Sequence, residues 1–83
     1  SLSATNPATT EVVIRFTLRE AATTDLDVFD LAGRRVARAL AGQPQAAGPH
    51  EVMLSTREWP AGCYFFRLAA GGSAHVRKFL VLQ

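Results

Sequence analysis

Apolar and polar side chains alternate along most of this chain, and this period of two constrains the fold more than any other feature. Between positions 12 and 18, Val12, Ile14, Phe16 and Leu18 alternate with Val13, Arg15 and Thr17. Segments 25–30, 52–54 and 64–68 repeat the pattern. Such alternation predicts strands that turn one face to a core and the other to water. We therefore expect an all-β domain.

Turn-forming residues separate these segments at intervals of about a dozen residues, which is typical of a β-sandwich. The turn signals are Asn6-Pro7, Ala22-Thr23-Thr24, Ala32-Gly33, the stretch 42–49, Pro60-Ala61-Gly62 and Gly71-Gly72. Together with a short first strand near Leu2 they predict about seven antiparallel strands. The Ala-rich residues 34–41 have room for about two helical turns, but so short a helix is marginal alone, so we interpret them as a strand.

Composition limits the chain to one folded domain without a membrane span or a nucleic-acid surface. Its 83 residues are 48% hydrophobic and 19% charged, enough for a single core. The net charge of +2 arises from basic residues scattered along the chain, so no basic patch is indicated. No apolar run has the length of a membrane span. The single cysteine cannot form an internal disulfide, so the fold is expected to depend on packing.

The first six residues are mostly small and polar. We interpret residues 1–6 as the end of a linker from an upstream domain or as the short first strand, followed by one domain over residues 7–83. This division predicts a module at the end of a longer protein.

The segment Asp30-Leu31-Ala32-Gly33-Arg34 predicts a hairpin of defined type. An Asp at the start of a turn accepts a hydrogen bond from the backbone two residues on, and a Gly supplies the left-handed position that closes a bulged three-residue loop. Arg34 then enters the next strand.

Two further segments follow this hairpin in order: Gly62-Cys63-Tyr64, and Lys78 at the start of Phe79-Leu80-Val81-Leu82. The series Asp-x-x-Gly-Arg, Gly-x-Tyr and a Lys-led apolar strand resembles the C-terminal sorting domain, type A, of proteins exported by the bacterial type IX secretion system. The immunoglobulin-like domain of the flagellar hook-cap assembly protein is similar to it. The resemblance extends from Asn6-Pro7 to Gln83 and implies an immunoglobulin-like antiparallel β-sandwich.

The resemblance also implies a function: a non-catalytic signal for the secretion and surface anchoring of a larger protein, with no cofactor. Its partners would be the outer-membrane secretion machinery, a sortase-like protease and an upstream passenger domain. The protein would pass through the periplasm to the cell surface or the extracellular space. Asp30, Gly33, Arg34, Gly62 and Tyr64 would shape the module, and Lys78, Phe79, Leu80, Val81 and Leu82 would form the segment recognised for export.

The closing strand itself points to a partner, because residues 79–82 are apolar on both faces. A strand that covers one side of a sandwich needs only one apolar face. An alternative is that this strand lies between two layers or against an upstream domain. The sequence does not decide whether Phe79 with Val81 or Leu80 with Leu82 faces outward.

Candidate reactive groups are sparse, and we expect neither a metal site nor catalysis. His50, His75 and Cys63 lack the paired spacing of zinc ligands. Cys63 as a nucleophile needs a base beside it, and we interpret it as a half-buried strand residue. Asp25 and Asp27 lie two positions apart on the outward face of one strand, where a solvated face is more common than a glycosidase pair.

A binding module remains an alternative to the sorting signal. Trp59 and Phe65 are aromatic residues of the type that forms sugar-stacking platforms in small sandwich modules attached to secreted enzymes. Trp59 precedes Pro60 in a loop, however, and a Trp at that place more often closes one end of a core. The open alternatives are therefore a carbohydrate- or protein-binding accessory module and a purely structural domain of the hook-cap type.

Overall fold

The computed structural model describes residues 1–83 and confirms the all-β class. Its seven strands are β1 (Leu2–Ala4), β2 (Glu11–Leu18), β3 (Ala22–Asp30), β4 (Arg35–Gln45), β5 (Gly48–Ser55), β6 (Gly62–Ala70) and β7 (Ser73–Val81). They form a three-stranded sheet of order β1-β2-β5 and a four-stranded sheet of order β4-β3-β6-β7, with antiparallel neighbours throughout. The architecture is that of an immunoglobulin-like β-sandwich.

The core lies between the two sheets and follows the alternation of the sequence. The buried apolar residues are Ala8, Val12, Ile14, Phe16, Leu26, Val28, Tyr64, Phe66, Leu68, Phe79 and Val81. Each fully buried large side chain contributes about 1.5–3 kcal/mol relative to an exposed one. Burial of alternate residues from strands of both sheets therefore holds the two layers together.

The hairpin between β3 and β4 has the predicted bulged loop. The Gly33 N–H donates to the Asp30 carbonyl at 3.0 Å, and the Asp30 N–H donates to the Arg34 carbonyl at 2.9 Å. Gly33 has a φ of 86°, the left-handed region that a Gly adopts without a steric penalty. The Asp30 carboxylate accepts its main hydrogen bond from the Arg34 N–H, four residues on, at 2.9 Å. The Ala32 N–H, two residues on, is the predicted donor, but it makes only a minor contribution to lowering the pKa of this carboxyl.

Two turn predictions are wrong. Residues 22–24 open β3, and the preceding turn lies at residues 19–21. Thr24 is fully buried there, with its hydroxyl donating to the Ala22 carbonyl at 3.1 Å. Most of the stretch 42–49 is also strand, because β4 continues to Gln45 and β5 begins at Gly48. Pro44 is compatible with a strand because β4 is an edge strand, where a missing N–H breaks no ladder.

Residues 6–8 pass from the three-stranded sheet to the edge of β7. Ala8 forms a parallel bridge with Val81. The Ala8 N–H donates to the Leu80 carbonyl and the Leu82 N–H donates to the Ala8 carbonyl, both at 2.8 Å. One end of the β7 edge is therefore covered by the start of the chain.

No helix in this structure is long and apolar enough to cross a membrane.

Candidate functional site

The closing strand divides into a buried and an exposed set of side chains. Phe79 and Val81 are 1% and 0% exposed, whereas Leu80 and Leu82 are 44% and 48% exposed. Lys78 is exposed as well. The structure thus assigns the outward face, which the sequence left open, to Leu80 and Leu82. Lys78, Leu80 and Leu82 are therefore the accessible side chains of this segment, while Phe79 and Val81 fix the strand in the core.

Hydrogen bonds from other parts of the chain hold the exposed end of this strand. The Asn6 side-chain carbonyl accepts the Leu80 N–H at 3.0 Å. After β7, the Gln83 amide donates to the Trp59 carbonyl at 2.7 Å and to the Thr56 carbonyl at 3.2 Å. Leu80 and Leu82 are therefore presented on an ordered backbone, so little conformational entropy remains to be lost on binding.

The outward face of the four-stranded sheet extends the apolar surface beyond the predicted residues. Cys63 lies opposite Leu80, Phe65 opposite Lys78, and Arg67 opposite Val76. Cys63 and Phe65 are half-buried, and Val76 is 52% exposed. We call Cys63, Phe65, Val76 and Leu80 the outer patch. Contiguous exposed apolar surface is typical of an interaction site.

Sequence reasoning missed Phe65 and Val76 as members of this patch. The signal was present in β6, where Tyr64 and Phe66 form the buried set, so that Phe65 must face outward. Placing Val76 also required the pairing of β6 with β7.

Asp27 departs from the expectation of a solvated carboxylate. It lies on the outward face of β3, as predicted, but it is only 6% exposed. Side chains of β4 account for this, since Arg38 Nε and Arg35 Nη1 lie 3.6 and 3.8 Å from Asp27 Oδ1. That oxygen has no hydrogen-bond partner. The positive charges of these two guanidinium groups compensate the buried carboxylate.

Asp25 belongs to the same ionic cluster. Its Oδ1 accepts the Gly42 N–H at 2.7 Å and an Arg38 guanidinium N–H at 3.0 Å. The hydrogen bond from Gly42, assisted by that from Arg38, lowers the pKa of the Asp25 carboxyl. The general acid of a glycosidase needs a raised pKa instead. Asp25 therefore does not suit the role of that acid, and both carboxylates belong to an ion cluster with arginines of β4.

Tyr64 ties the loop before β6 to the core. Its hydroxyl donates to the Pro60 carbonyl at 2.5 Å. Its ring lies 5.3 Å from that of Trp59 and 5.9 Å from that of Phe79, measured between centroids. Burial raises the pKa of the Tyr64 hydroxyl, which keeps the phenol neutral as a donor. Gly62 opens this strand opposite Val81, so both predicted motif residues lie beside the closing strand.

The aromatic residues considered for sugar binding are not brought together. Trp59 packs against the core and Tyr64. Phe65 lies on the other side of β6, on the outer patch. The two rings therefore offer no common platform.

The candidate metal ligands are also separated. His50 is on β5 of the three-stranded sheet, where it stacks on Phe16 with 5.1 Å between centroids. His75 and Cys63 are on β7 and β6 of the other sheet. The structure contains no group of three His, Cys, Asp or Glu side chains placed to hold a metal ion.

Comparison with known proteins identifies one family. The family model described as "Secretion system C-terminal sorting domain" matches residues 6–82. The matched span includes β2 to β7 and the segment that covers the end of the β7 edge. A search of curated proteins returned no match.

Proposed function

Since the chain belongs to the family of type IX secretion system C-terminal sorting domains, we propose that the export machinery recognises the folded module through Lys78, Leu80 and Leu82. Membership of this family makes the domain a sorting signal for export to the cell surface or the extracellular space. It also implies interaction with the type IX machinery and attachment to a larger passenger protein.

The observation that supports this proposal is the exposure of Leu80 and Leu82, which alternate with the fully buried Phe79 and Val81 at the end of the chain. Neither leucine belongs to the core, and Phe79 and Val81 already anchor β7. Two large apolar side chains that are exposed to solvent and contribute nothing to the core are typical of a surface that binds a partner. Lys78 adds a positive charge beside them, which favours an acidic rim on that partner.

The proposed sequence of events needs no reaction within the module. The folded, non-catalytic domain passes through the periplasm and docks on the outer-membrane translocon. A sortase-like protease then removes it, and the passenger is attached to a surface glycolipid. Asp30, Gly33, Arg34, Gly62 and Tyr64 act in this scheme by maintaining the sandwich.

The test is an export assay with this domain fused to a passenger that carries a secretory leader, in a cell with the type IX machinery. The double variant Leu80→Thr with Leu82→Thr keeps β-propensity and removes the exposed apolar face. We expect the parent fusion at the cell surface and the double variant in the periplasm.

A matched control removes two other exposed apolar side chains. Leu31 is 72% exposed in the turn after β3, and Met53 is 57% exposed on β5 of the other sheet. The double variant Leu31→Thr with Met53→Thr should be exported like the parent. Thermal melts of the isolated domains must match for both variants. Normal export of a folded Leu80 and Leu82 variant would disprove the proposed recognition surface.

A further inference from the structure

Half of the β7 edge carries backbone groups without a strand partner. Both backbone groups of Leu80 point away from β6, towards Ala8 and Asn6. Backbone groups alternate in direction along an antiparallel strand, so Val76 and Lys78 point the same way. Residues 6–8 reach only the end of β7 near Leu80 and Leu82. The edge from Ala74 to Lys78 is therefore open.

One backbone group on this open edge, the Val76 carbonyl, has a hydrogen-bond partner within the chain. It accepts a hydrogen bond from Arg77 Nη1 at 3.0 Å, which comes from the side chain of the next residue. An exposed side chain of this kind is readily displaced by a better partner. The Arg77 guanidinium is thus the one side-chain group that hydrogen-bonds the backbone of this part of the edge.

A groove runs between the two sheets beside the open edge. It has a volume of about 470 Å³ and includes Leu2, Leu18 and Leu68 among its apolar lining residues. Arg19, Arg77 and His75 also line it, whereas Glu20 is its one carboxylate. A strand added to β7 would direct alternate side chains towards this groove. Basic groups outnumber acidic ones there, so carboxylates fit best.

We propose that the open half of the β7 edge binds an extended acidic segment of a partner protein by strand addition. The segment pairs with the backbone of Ala74, Val76 and Lys78, directs carboxylates towards Arg19 and Arg77, and places apolar side chains beside Val76. The site lies beside the exposed leucines and shares Lys78 with the proposed export surface, but it uses backbone groups of the open edge, and its occupation requires no export machinery. The inference therefore goes beyond the proposed sorting function.

The charges of this edge favour such a segment over a second copy of the chain. Pairing of two β7 edges would bring Arg77 and Lys78 of both copies together. Like charges across paired strands are destabilising, and Lys on an edge strand is a common protection against self-association. An acidic partner turns the same side chains into attractive contacts.

The binding test uses the 83-residue chain and a fluorescent octapeptide of alternating Glu and Val with blocked ends. The control octapeptide alternates Lys and Val. We expect saturable binding of the acidic peptide by anisotropy, and at least about tenfold weaker binding of the basic one. Amide hydrogen exchange should slow at Ala74, Val76 and Lys78 when the acidic peptide is bound.

A proline variant tests the backbone pairing. The Val76 N–H points away from β6, so Val76→Pro removes a donor from the open edge and leaves the β6–β7 ladder intact. We expect it to weaken binding of the acidic peptide at least about tenfold. The matched variant Val76→Thr keeps the N–H and should bind like the parent.

A charge reversal gives a second test. Partial unfolding would weaken the binding of both peptides, whereas the proposal predicts that the preference between them reverses. Arg77→Glu should bind the Lys-containing peptide more tightly than the Glu-containing one, which reverses the preference of the parent. Equal binding of both peptides by the parent, or an unchanged preference in Arg77→Glu, would overturn the proposal. A concentration-dependent dimer that Val76→Pro abolishes would assign the edge to a second copy and overturn it as well.

Discussion

At the scale of single residues, the turn between β3 and β4 depends on the backbone conformation of Gly33. Its φ is 86°, and a Cβ at this position would meet no atom within 4 Å. A larger residue at this position would therefore meet no steric clash, and its only cost would be the strain of a left-handed backbone conformation. We expect Gly33→Val to lower the free energy of unfolding by about 1–3 kcal/mol. In thermal melts this corresponds to a decrease of at least about 4 °C.

Gly33→Asn is the matched control, because Asn adopts the left-handed conformation more readily than Val. It should melt between the parent and Gly33→Val. A Val variant as stable as the parent would contradict the strain argument.

The Asp30 carboxylate makes the stability of this turn dependent on pH. The hydrogen bond from the Arg34 N–H is the main cause that lowers the pKa of Asp30, and the Arg34 guanidinium at 3.1 Å adds to it. A lowered pKa in the folded state stabilises the fold above the ordinary Asp value of about 3.9. This contribution is lost as the pH falls through the lower folded value.

Asp30→Asn tests this pH dependence, since the amide oxygen still accepts the Arg34 N–H but carries no charge. We expect the parent to melt above the variant at pH 7, and the difference in melting temperature to narrow as the pH falls below about 4. Circular dichroism melts over this range measure the difference. A difference that stays constant with pH would exclude the carboxylate charge as its source.

At the scale of elements, alternation identified strands wherever polar residues marked one face. It placed Val12, Ile14 and Phe16 in the core correctly. Residues 79–82 include no polar residue, so the alternation does not indicate which of the two alternate pairs faces the core. Only the contacts of β7 with residues 6–8 and β6 distinguish them.

Some side-chain contacts depend on the register in which two strands pair, and the spacing of residues along the sequence does not reveal that register. Asp27 was assigned to the correct face, but its burial arises from Arg35 and Arg38 on β4. Pairing of β3 with β4 includes three register shifts, and local sequence does not predict where such bulges bring side chains together. The prediction of a turn over residues 42–49 is wrong for a related reason, because a strand accommodates Pro44 only where it lies at the edge of a sheet, as β4 does.

The two faces of β7 should respond very differently to substitution. Phe79→Thr with Val81→Thr removes two fully buried side chains. Loss of a core Phe alone costs about 3–5 kcal/mol, a large part of the stability of a domain of this size. Leu80→Thr with Leu82→Thr should cost less than about 1 kcal/mol. Urea unfolding of both variants measures the difference, and a larger loss in the leucine pair would contradict the assigned faces.

At the scale of the whole molecule, the first eight residues connect the two layers. β1 pairs with β2 in one sheet, and residues 6–8 pair with β7 in the other. The turn spacing predicted a sandwich of about seven strands, but not which strands share a sheet. That partition depends on long-range pairs such as β2 with β5 and β3 with β6, which turn signals do not specify.

The family match begins at residue 6 and so leaves out β1. Deletion of residues 1–5 tests whether β1 contributes to the stability of the domain. The deletion removes the hydrogen bond from the Thr5 N–H to the Val13 carbonyl at 3.0 Å and that from the Thr17 N–H to the Ser1 carbonyl at 3.1 Å. It also removes Leu2, which packs against the core. We expect a loss of about 2 kcal/mol or more, seen as a melting temperature lower by at least about 8 °C.

The full-length variant Leu2→Ser separates the two contributions to this loss. It removes the apolar side chain but keeps the backbone ladder between β1 and β2, so it should melt between the parent and the deletion. If the deletion melts with the parent, residues 1–5 act as a linker, and the boundary of the folded unit lies at residue 6. If it melts with Leu2→Ser, burial of that one side chain accounts for the whole contribution of β1, and its hydrogen bonds replace equivalent ones to water.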